Sequence, residues 1–72
     1  MAFPYAALGR EIKRLRKEKG LSQEVLSGLA GIARTHLTMI ENGSLKATTD
    51  TYYKIAQALG VKLSDVLTAI GE

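Results

Sequence analysis

The 72-residue sequence predicts an all-α domain of five helices. Apolar residues recur at three- and four-residue spacing, as on one face of a helix with 3.6 residues per turn. No alternating run and no β-branched run of useful length appears, so nothing supports a strand. Gly20, Gly31, Gly43, Gly60 and Gly71 fall where the helix-period patterns stop, positions at which a left-handed cap suits glycine.

The first helix is expected from about Pro4 to Lys19, with Pro in its first turn and Tyr5, Leu8, Ile12 and Leu15 on one stripe. The second starts at the N-cap Ser22 and ends near Ala30, with Leu26 and Leu29 inward and Glu24 at the positive helix start. Gly28 inside it costs about 1 kcal/mol relative to Ala. The third runs from about Arg34 to Asn42. The fourth, about Thr49 to Leu59, is capped by Thr48 and turns Tyr52, Ile55, Ala56 and Leu59 inward. The fifth, about Leu63 to Ile70, gathers Leu63, Val66, Leu67 and Ile70 on one side, with Lys62 at an N-cap that Ser or Asp would fill better.

Composition removes several function classes. A chain of this length forms one domain, residues 1–72, and buries only about 60% of the surface its unfolded form exposes, too little for a sheltered cleft. The absence of cysteine excludes a disulfide framework and a thiolate zinc site. One His, no Gly-rich phosphate loop and no paired carboxylates argue against an enzyme. No metal, cofactor or small-molecule ligand is expected. No apolar run approaches the roughly 20 residues of a membrane span, and MAFPYAALG lacks the features of a signal peptide. A soluble cytoplasmic protein, without a membrane partner, is the default expectation.

The net charge is +3, but six of the ten basic residues crowd into one stretch: Arg10, Lys13, Arg14, Arg16, Lys17 and Lys19. Such a stripe suits an anionic partner or a well-solvated face, and Glu11 and Glu18 dilute it.

The segment Gln23 to Asn42 carries the function. It reads as two short helices joined by a turn at Gly31. On the third helix Leu37, Ile40 and Glu41 mark the buried side, while Thr35, Thr38, Met39 and Asn42 lie opposite, flanked by Arg34 and His36. The outward face is short-chained and almost free of acid. Arg can bridge guanine O6 and N7, Thr can bond bases or phosphates, and a Thr methyl or Met can touch the thymine methyl. Gln23 lies in the first turn of the second helix, where free N–H groups and the dipole favour a phosphate. Arg16 and Glu41 each stand at the edge of an apolar stripe, an odd place for a charge unless the two meet. They are expected to pair and lock the first helix to the third.

The stretch LGREIKRLRKEKGLSQEVLSGLAGIARTHLTMIENG resembles the helix-turn-helix family of phage repressors and Cro proteins, the XRE family. The resemblance covers roughly residues 8 to 67: the GLSQ entry, Leu26 followed by small Ser27, Gly31 in the turn, apolar residues at 32, 37 and 40, the closing I-E-N-G, and IAQALGV. It implies a compact five-helix lambda-repressor-like DNA-binding domain, with the motif at about 23–42 and the third helix in the major groove. Carried over residue by residue, Gln23 touches a phosphate and braces the third helix. Arg34, Thr35, Thr38 and Met39 face bases, and Asn42, Ser44 and Lys46 hold the DNA backbone. The pair of Arg16 and Glu41 fits the family, and the basic first helix would lie mostly behind the reading helix.

Three departures stand out. Ala33 replaces the usual Ser or Thr cap, Ala47 replaces the common Pro before the fourth helix and loosens that loop, and His36 takes a place often held by Tyr. The short length and the Arg34–Thr35 pair resemble the controller proteins of restriction–modification systems; a phage-type repressor, an antitoxin with a protein partner, and a protein-interaction module on the same fold are alternatives. A domain this small reads few base pairs, so a homodimer on a two-fold operator is expected, with half-sites about 34 Å apart. Tyr53, Val66, Leu67 and Ile70, with the C-terminal tail, are the candidate interface.

Overall fold

A computed structural model describes residues 3–71; Met1, Ala2 and Glu72, the ends of the expected 1–72 domain and of its C-terminal tail, lie outside the described residues. Five helices follow in order, and no strand occurs among the described residues: α1 Tyr5–Glu18, α2 Gln23–Ala30, α3 Arg34–Glu41, α4 Thr49–Leu59 and α5 Leu63–Ile70.

The boundaries follow from local chemistry. The Ser22 hydroxyl accepts from the Val25 N–H at 3.0 Å, and the Thr48 hydroxyl accepts from the Thr51 N–H at 3.2 Å. Each satisfies one of the first-turn donors that a helix leaves open. At the other end of α2, Gly31 takes φ +72°, which returns the chain so that the Ile32 N–H donates to the Ser27 carbonyl at 3.0 Å. Ala33 and Lys62 supply no side-chain cap, as their types require.

The core gathers one stripe from each helix. Leu8 and Ile12 of α1 meet Leu26 and Ala30 of α2, Leu37 and Ile40 of α3, Tyr52, Ile55 and Leu59 of α4, and Val66 of α5. Burying each large aliphatic side chain contributes about 1.5–3 kcal/mol. α2 packs against α4, while α1 packs against both α3 and α5. The helix-turn-helix is thus supported by α1, which packs on α3, and by α4, which packs on α2.

The structure corrects three sequence expectations here. Leu29 is not inward but 63% exposed. The buried arc of α2 runs over Leu26, Ser27 and Ala30, and Leu29 lies about 60° beyond its edge. Val66 is only 4% exposed and belongs to the core of its own domain, so it has no surface to offer a second copy. Ala47 does not loosen its loop. Its N–H donates to the Tyr52 hydroxyl at 3.2 Å, a bond that proline, lacking the N–H, could not make.

Candidate nucleic-acid interface

Arg16, Glu41, Gln23 and Thr38 form one connected network across α1, α2 and α3. Arg16 grips the Glu41 carboxylate with two bonds, Nε to Oε2 at 2.8 Å and Nη2 to Oε1 at 3.0 Å. Its Nη1 donates to the Leu21 carbonyl at 2.8 Å. The two residues are 8% and 3% exposed. Charges so far from water persist only when paired in good geometry, and the planar guanidinium supplies that fork. Gln23 extends the network: Nε2 donates to Glu41 Oε1 at 3.1 Å, and Oε1 accepts from the Thr38 hydroxyl at 2.8 Å. The Gln23 amide is thereby held in one orientation. One of its two N–H donors remains for an outside acceptor.

The sequence places Thr38 on the outward face, but the structure sets it half-buried. Its hydroxyl proton is directed at Gln23 and at the Arg34 carbonyl, 3.0 Å away, so outward it has an oxygen lone pair and a methyl to present. Arg34 and Thr35 are exposed, and Met39 is 42% exposed, large for an apolar side chain. With Thr38 they make a short-chained strip along α3. Arg34 also lines an open polar hollow of about 440 Å³ at the start of α2, together with Arg16, Ser22, Gln23 and Glu24.

Beyond α3 the chain is fastened by local bonds. Asn42 Oδ1 accepts from the Ser44 N–H at 3.0 Å and from the Ser44 hydroxyl. Gly43 takes φ +81° with Ala6 of α1 directly beneath it. Lys46 is exposed, and its ammonium lies over the face of the Tyr5 ring, 5.5 Å from the centroid. The eight residues predicted to meet DNA therefore fall into a braced pair (Gln23, Thr38), an exposed strip (Arg34, Thr35, Met39) and a fastened loop (Asn42, Ser44, Lys46).

The basic stripe of α1 separates into different roles. Arg16 is consumed by Glu41. Arg14 is held by Glu11 in a two-bond fork, 2.9 and 2.7 Å, and by Glu18 at 3.1 Å. The hydrogen bonds from Arg14 hold the Glu11 carboxyl below its usual range. Arg10, Lys13, Lys17 and Lys19 stay exposed and add to the positive field around α1. Sequence reasoning missed Gly9 of α1. Its mid-helix glycine on the same face as Arg16, seven residues on, was the available signal of a close helix approach.

A helix-turn-helix family model, HTH_3, matches residues 12–66, which includes α2, α3 and the network that joins them. The chain belongs to this helix-turn-helix family. It carries a DNA-binding domain of transcriptional regulators, and the family is one of regulators rather than enzymes. It is 38% identical over 65 residues to the uncharacterized HTH-type transcriptional regulator y4dJ of Sinorhizobium fredii, covering 90% of this chain and 84% of that one. It is 36% identical over 66 residues to the control protein C.BamHI of Bacillus amyloliquefaciens, covering 88% and 82%. Among solved structures, the restriction–modification controller protein C.AhdI of Aeromonas hydrophila superposes with a TM-score of 0.83 at 31% identity, covering 86% of this chain and 94% of that one. No helix of the described residues is long and apolar enough to cross a membrane.

Proposed function

We propose that the protein is a homodimeric, operator-binding regulator of the controller type, with α3 in the major groove of each half-site. The observation that carries this reading is the brace on α3. Arg16, Glu41 and Gln23 fix the helix from behind, while Arg34, Thr35 and Met39 stand exposed in front. A pre-ordered helix with short outward side chains approaches base edges without a further ordering cost. In this reading Arg34, Thr35, Met39 and the outward lone pair and methyl of Thr38 meet bases. Gln23, Asn42, Ser44 and Lys46 meet phosphates, which set register without reading sequence.

Two copies are needed because one α3 spans few base pairs, and two-fold symmetry doubles the contact. With Val66 in the core, the expected interface residues left for a second copy are the half-buried Leu67 and Ile70 of α5 and the 51% exposed Tyr53 of α4. The controller role is supported by the identity to C.BamHI and C.AhdI. A nuclease and a methylase encoded beside this chain would agree with it; toxin or prophage genes there would refute it.

Binding to duplex DNA against salt tests the reading. Affinity should fall steeply between about 50 and 200 mM salt as counterions compete for the phosphates. Flat or absent binding would instead favour a protein partner. Light scattering tests the dimer, and a strict monomer at high micromolar concentration would refute it.

A further inference from the structure

Lys46 and the ring beneath it are tied to the same core residue. Tyr5, the first residue of α1, is half-buried. Its ring stacks on Tyr52 with centroids 6.4 Å apart, and the Phe3 ring lies tilted beside it at 4.9 Å. Tyr52 is in the core, and its hydroxyl accepts from the N–H of Ala47, the residue after Lys46. The backbone that carries Lys46 and the ring that receives its ammonium are therefore positioned together. At the other end of the same loop, a methyl on Gly43 would fall 3.2 Å from the Ala6 side chain, so the first turn of α1 also packs under the residues just after α3.

A loop lysine has a long flexible stem and loses much rotamer freedom when it is fixed on a partner. The negative face of an aromatic ring attracts an ammonium within about 6 Å of its centroid. It leaves the charge intact, and an ammonium has three donors, so a ring on one side does not block a phosphate on another. We infer that Tyr5 is a positioning residue for the Lys46 phosphate contact, ordering the ammonium before DNA arrives. This rests on the reading of Lys46 as a DNA-backbone contact. It couples the first turn of α1, which lies outside the helix-turn-helix motif in the sequence, to the hold on DNA.

The test uses the full chain and a random-sequence duplex, with affinity measured across a salt series. Lys46→Ala should lower the slope of log affinity against log salt by about 1. Tyr5→Leu should weaken binding by about two- to tenfold, the cost of ordering one long side chain on binding. Tyr5→Phe keeps the ring face and should bind as the parent does. In the Lys46→Ala background, Tyr5→Leu should have no further effect. If Tyr5→Leu melts below the assay temperature, Tyr5→Met, an adaptable space-filler, takes its place. Equal weakening in both backgrounds would mean that Tyr5 acts through packing alone and would overturn the inference. So would an unchanged affinity, or a tighter one, which would mean that the ring holds Lys46 off the DNA. If Lys46→Ala itself leaves the slope unchanged, the phosphate reading of Lys46 fails first and the inference with it.

Discussion

Gly9 of α1 and Ile40 of α3 meet backbone to backbone: a methyl built on Gly9 would fall 2.0 Å from the Ile40 carbonyl oxygen and 3.3 Å from that of Glu41. This approach brings α1 near enough for Arg16, two turns further on the same face, to reach Glu41 with both arms of its fork. The obstacle is main chain, which cannot swing aside. Gly9→Ala should therefore force α1 and α3 apart at a cost of about 1–3 kcal/mol or more. Gly28 is the opposite case, with nothing within 4 Å of an added methyl and a helical backbone. Gly28→Ala should raise stability by up to about 1 kcal/mol. Thermal melts decide both, since 1 kcal/mol moves the midpoint by about 4–8 °C in a domain of this size.

The buried ion pair is asymmetric in what its loss does. Arg16→Ala or Glu41→Ala leaves an uncompensated charge in the core and should cost about 3–5 kcal/mol. Replacing both partners by apolar residues of similar volume should recover much of that loss. Melts of the two single variants and the double variant read this directly; two neutral singles would show that the pair contributes nothing.

Arg34 and Gln23 should separate in a binding assay. Arg34→Ala should relax preference at one position of each half-site and cost about 1–3 kcal/mol on the preferred sequence. Gln23→Ala removes the bonds to Glu41 and Thr38 along with any phosphate contact, so it should weaken all sequences alike and lower the melting midpoint. Selection of bound sites from random DNA, repeated with each variant, distinguishes the two. An unchanged site preference for Arg34→Ala would remove it from the base readers.

The Glu11–Arg14 fork predicts a pH effect of definite sign. The Glu11 carboxyl is held below its ordinary value of 4.5 by the Arg14 hydrogen bonds, so the folded state favours the charged form. Its contribution is present above that value and is lost as pH falls through the depressed folded value. An NMR titration of the Glu11 carboxyl should give a midpoint below 4.5, and Arg14→Gln should return it toward 4.5.

The sequence by itself determined what depends on near neighbours in the chain. The five helices, the Ser22 and Thr48 caps and the Gly31 stop follow from residues within one turn of each boundary. The Arg16–Glu41 pair was also legible, because a charge on an apolar stripe has to find an opposite charge. A helical wheel states which residues share a face, but not which neighbour that face meets or how closely. Tertiary packing therefore decided the rest. It turned Leu29 out by setting the buried arc of α2 over Leu26, Ser27 and Ala30, and it drew Val66 into the core. It spent the Thr38 proton on Gln23, bound the Ala47 N–H to Tyr52, and set Lys46 over Tyr5. Each of these depends on distances between residues far apart in the chain, which close packing selects to within a few tenths of an ångström.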